Sequence, residues 1–118
     1  MEPTTTLYRP LDSQELKLIA ASGYREFPPR LPGQPIFYPV LSEEYAIQIA
    51  RDWNAKNSDT GVGIVTEFRV KTVYLSKFEI HTVGARIHQE YWIPASELAE
   101  FNRNIVGLIE VIAEFHNK

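Results

Sequence analysis

The sequence predicts a single α+β domain built on a mainly antiparallel sheet. Two properly capped helix starts fall in the first half, strand-like alternation dominates the second half, and nowhere do the 118 residues divide into two units. No internal repeat or low-complexity segment interrupts this pattern.

Residues 1–5 read as a frayed start, and 6–9 as a short strand halted by Pro10, with Arg9 at its end. Asp12 is placed to cap a first helix, with Glu15 three residues later closing a capping box and Leu11 stapled against Leu16. Leu16, Ile19 and Ala20 form the stripe of that helix, which runs to about Ser22 and ends at a left-handed Gly23. The 28–35 segment holds Pro28, Pro29, Pro32 and Pro35, which no regular element spans, so a stiff loop is expected.

A short apolar strand over 36–40 precedes a second helix capped by Ser42, with Glu43 and Glu44 at the positive end of its dipole. Ala46, Ile49, Ala50 and Trp53 are spaced as one core-facing stripe. A polar turn over 54–63 leads into a strand at 64–70 with Ile64, Phe68 and Val70 inward. A helical turn at 73–78, a strand at 79–83, a short helix at 95–102 and a last strand at 108–115 after Gly107 complete the order.

Composition bounds the function. Apolar residues at 44% and charged residues at 23% are ordinary for a globular chain, and no apolar run approaches membrane-spanning length. No export signal opens the chain, so a cytoplasmic location is expected. Zero cysteines exclude disulfides and thiolate chemistry, and His81, His88 and His116 lack metal-ligand spacing. A net charge of −3 gives no footprint for a long nucleic acid but leaves a nucleotide pocket open. The six glycines match neither the phosphate-loop nor the dinucleotide-fold spacing.

The stretch 86–94 carries the chemistry. Read as one strand, it puts Arg86, His88, Glu90 and Trp92 on a single face. The plain reading is a solvated face with an Arg/Glu pair. The functional one is a site in which a carboxylate beside an aromatic plane stabilises developing positive charge.

Taken in order, the Tyr8-Arg9 strand, the helix ending at Ser22-Gly23, the Ile36-Phe37-Tyr38 strand before a Ser-capped helix, and the late Glu90 strand resemble the ADP-ribosyltransferase fold. The phrases at 27–32, 35–40 and 90–94 are also similar to those of small bacterial proteins carrying generic ADP-ribosylation labels. The resemblance implies a split sheet that clamps NAD, used as substrate, in an open cleft. It implies Glu90 as the catalytic residue, and Arg9 with Tyr8, Tyr38, His88 and Arg30 as NAD-binding residues. His88 stands where the transferases have a carboxylate or amide, and the usual Ser-Thr-Ser second motif is missing. The activity implied is cleavage of the nicotinamide–ribose bond and transfer of ADP-ribose to an unknown acceptor or water. The alternatives are a catalytically inert nucleotide- or protein-binding module on the same scaffold, and a domain of a toxin system paired with an immunity protein. Arg9 and Glu90 are expected to face a common pocket, with the proline-rich loop as its preformed wall.

Overall fold

The computed structural model describes residues 2–117. It is an α+β fold in which every strand pair is antiparallel. The elements are β1 (Thr4–Leu11), α1 (Ser13–Ala21), β2 (Ile36–Phe37), α2 (Glu43–Ile49), α3 (Ala55–Asn57), β3 (Val62–Lys71) and α4 (Thr72–Leu75), followed by β4 (Ile80–Thr82), β5 (Gln89–Tyr91), β6 (Ile93–Pro94), α5 (Leu98–Arg103) and β7 (Ile105–His116). β3 lies between β1 and β7, while β2 pairs with β6 and β4 with β5. Val40 bridges Tyr8 on one side and Glu90 on the other, joining the pieces. Glu90 therefore lies two strand spacings from β1, roughly 10 Å.

The period of two decides what β1 and β3 offer. Leu7 and Leu11 enter the main core with Ile64, Phe68 and Val70, packed on Phe27, Phe37 and Phe101. Arg9 falls between Leu7 and Leu11 on the same face. Tyr8 must point the other way, against the smaller cluster of Val40, Ala46, Ala50 and Val65.

Several boundaries differ from expectation, and the 36–40 strand pairs as a strand only over Ile36–Phe37, with Val40 left to isolated bridges. β1 begins at Thr4, within the segment expected to fray, Met1 lying outside the described residues; it also runs through Pro10 to Leu11. A proline is tolerated there because the Tyr8 N–H bonds Val40 on the side away from β3, so Pro10, two residues on, also turns its nitrogen away from the β1–β3 ladder. The last strand does not wait for Gly107 but starts at Ile105, with Gly107 inside it at φ +83°, near a register shift in the β3–β7 pairing, as a bulge allows. The supposed strand at 86–94 is broken: only Gln89–Tyr91 and Ile93–Pro94 pair, and the chain turns before them, with the His88 N–H donating to the Ala85 carbonyl at 2.9 Å.

The second helix holds the largest departure. After Ile49 it widens into a π-type turn over Ala50–Asn54, in which the Ala55 N–H reaches the Ala50 carbonyl five residues back. The buried stripe thus steps from Ala46 to Ala50 to Ala55. That extra residue swings Trp53 out of the expected core stripe, leaving it 63% exposed. Gly63 permits the arrangement, since a Cβ there would lie 2.0 Å from the Ala50 carbonyl oxygen.

Candidate functional site

A cleft of about 820 Å³ opens between α1, the proline-rich loop, the π-turn and the β5–β6 edge. This size suits a small organic ligand. Arg9, Arg30, Tyr38 and Glu90 all line it, together with Trp53, Asn54 and Trp92.

Glu90 is the carboxylate best enclosed by the cleft, 9% exposed. Its Oε2 accepts from the Tyr45 hydroxyl at 2.9 Å, and its Oε1 from the Trp92 indole N–H at 2.8 Å. Trp92 is two residues on and so falls on the same side of the chain, whereas Tyr45 is delivered by the first turn of α2. Ser42 sets that turn by accepting the Tyr45 N–H at 3.1 Å. Each carboxylate oxygen keeps a lone pair for a ligand.

Burial, then the bond to Glu90 and its charge, push the Tyr45 phenol up to about 12 from the usual 10.0. The folded chain holds a proton that the unfolded chain releases near pH 10, so stability falls as pH rises between these values. Tyr45→Phe is therefore expected to flatten the loss of stability between about pH 10 and about pH 12, measured by denaturant titration across that range.

Two expected ligand residues lie elsewhere. Tyr8 is not among the residues lining the cleft, because the strand period turns it toward α2. His88 is likewise absent from the lining. The turn beginning at Gly84 points its ring under Tyr45, stacked at 4.5 Å. Its Nδ1 accepts the Ala85 N–H at 3.2 Å, so the ring proton sits on Nε2, which donates to Gln48 Oε1 at 3.0 Å. His88 thereby supports Tyr45, which holds Glu90. A Cβ on Gly84 would lie 2.6 Å from Nδ1 and push the ring from this place.

Arg9 does line the cleft, but it is committed. Its guanidinium grips Glu15 through two bonds of 2.9 Å and lies 4.7 Å from the centre of the Phe37 ring. Glu15 thus serves Arg9 with the side chain assigned to a capping box, while Asp12 still caps α1 by accepting the Glu15 N–H at 2.9 Å.

Arg30 has no carboxylate partner among the described residues. Its Nε donates to the Ile36 carbonyl at 3.1 Å, which leaves the terminal nitrogens for a ligand. Burial, and then the charge of Arg9, lower its pKa, yet a guanidinium remains charged at neutral pH. The loop that carries it is anchored at its root by Asn102, whose amide bonds both the N–H and the carbonyl of Phe27 at 3.0 Å. The tip is closed by the Gln34 N–H on the Leu31 carbonyl at 3.0 Å.

Aromatic planes complete the mouth. Trp92 stacks on His81 with ring centres 3.7 Å apart and planes 4° from parallel, and Tyr38 meets it edge-on at 6.3 Å. No trio of metal-ligating side chains clusters among the described residues, and no described helix is long and apolar enough to cross a membrane. No family model, curated protein or solved structure matches this chain.

Sequence reasoning missed Tyr45, Trp53 and Asn54. Tyr45 touches Glu90 only because Val40 bridges β1 to β5, a long-range pairing that leaves no local pattern.

Proposed function

We propose that the cleft binds NAD and cleaves its nicotinamide–ribose bond, passing ADP-ribose to an acceptor or to water. The observation that carries this reading is the enclosed Glu90 carboxylate, held by Tyr45 and Trp92 in the same cleft as the unpaired Arg30 cation. Breaking the C1′–N bond sends its electron pair to the pyridinium ring and leaves positive charge on the ribose. A fixed carboxylate that is itself little exposed to water stabilises that charge and orients the 2′-hydroxyl. The acceptor hydroxyl then bonds to C1′ and releases a proton. Arg30 suits a diphosphate oxygen through its planar fork, and Tyr38 and Trp92 offer surfaces for the nicotinamide ring.

The Arg9–Glu15 pair favours a second reading. With one of the two cleft guanidiniums neutralised from within, the same scaffold suits an inert nucleotide- or protein-binding module. The two readings separate on turnover, since both allow nucleotide binding but only the first requires cleavage.

Arg30→Ala is expected to weaken NAD binding by roughly tenfold or more, the worth of a charge-assisted hydrogen bond, without a comparable loss of stability. Calorimetric titration with NAD measures this, and unchanged affinity would remove Arg30 from the site. Arg30 is a cleaner probe than Arg9, whose removal also strands the part-buried Glu15.

A further inference from the structure

The π-turn places two residues at the cleft for which the chemistry above has no use. Trp53 lines the cleft, is 63% exposed and has no core role, so its indole is open to a ligand there. Asn54 also lines the cleft, and its Oδ1 is cut off from water with no hydrogen-bond partner among the described residues. It is the only buried side-chain oxygen or nitrogen so stranded among them. A buried amide oxygen without a donor carries a desolvation cost, which a turn of the Asn54 side chain toward a donor in the cleft relieves. The wide turn itself is less stable than regular helix, and turns of this kind concentrate at functional sites.

We propose that Trp53 and Asn54 form a base-binding subsite for an adenine-type purine, which deepens and rests on the reading of the cleft as an NAD site. An indole face stacks a planar base. A carboxamide matches the adenine edge in both directions, its oxygen accepting from the 6-amino group and its NH₂ donating to N7. Hypoxanthine has a carbonyl at position 6. Turning the amide to donate to that carbonyl sets its oxygen against the N7 lone pair, so the match fails either way round.

The test is calorimetry on the full chain with AMP against IMP, and NAD against nicotinamide hypoxanthine dinucleotide. The adenine member of each pair is expected to bind roughly tenfold more tightly. Asn54→Leu removes the stranded oxygen at similar volume and should bring both ratios close to one. Trp53→Ala, at an exposed position, should weaken both members alike and preserve the ratio. Equal affinities in the wild type, or an adenine preference that survives in folded Asn54→Leu, overturns the proposal. Should Asn54→Leu fail to fold, unchanged AMP binding by Trp53→Ala overturns it instead. Release of nicotinamide from NAD without any base preference overturns this subsite alone. A base preference shown with AMP, without turnover of NAD, supports the subsite and overturns the catalytic reading. Binding of neither AMP nor NAD overturns both.

Discussion

Glu90→Gln is expected to lower the rate of nicotinamide release by about 10²–10³-fold, the usual cost of removing one preorganised electrostatic group. NAD affinity should be nearly unchanged, because the lost interaction belongs to the charged transition state. The substitution is well suited to the site. A glutamine there can turn its oxygen to the Trp92 N–H, which only donates, and its NH₂ to the Tyr45 oxygen, which also accepts. The fold is thus retained while the charge is lost. Parallel assays of nicotinamide release and calorimetric NAD binding decide the matter, and an unchanged rate would exclude Glu90 from the chemistry.

Gly63→Ala is expected to destabilise the chain by about 1–3 kcal/mol, the range for overpacking a closed interior. Thermal unfolding should shift down by roughly 5–20 °C for a domain of this size. The added Cβ would meet the Ala50 carbonyl oxygen at 2.0 Å, the Ala50 carbonyl carbon at 2.7 Å and the Ala55 nitrogen at 3.0 Å. All three are backbone atoms, which cannot rotate away as a side-chain tip does. The helix must instead shift as a body, taking Trp53 and Asn54 from the cleft wall. An unchanged melting temperature would show that the contact between β3 and the π-turn is looser than this geometry implies.

Local chemistry was readable from the sequence where it is settled locally. Asp12 and Ser42 cap their helices through the expected side-chain bonds, and Gly23 takes the left-handed conformation at φ +78°. Ile64, Phe68 and Val70 face the core as alternation predicts, and Arg9 shares the cleft with Glu90. Legibility stopped where a distant contact overrode a local pattern. Trp53 obeys helical spacing up to the wide turn and then departs from it, because Gly63 admits the Ala50 carbonyl. His88 obeys strand spacing with Glu90 on paper, but the turn after Gly84 removes it from that face. Arg9 and Glu15 are six residues apart, each with a separate role in the sequence, and only the angle between β1 and α1 makes them partners.

Incubation of the purified chain with millimolar NAD, with free nicotinamide followed over time, tests the central claim most directly. The cleft geometry predicts release that is proportional to protein and lost in Glu90→Gln. Wild-type protein that releases none, while binding NAD in calorimetry, would contradict a catalytic role for this cleft and leave it a binding site.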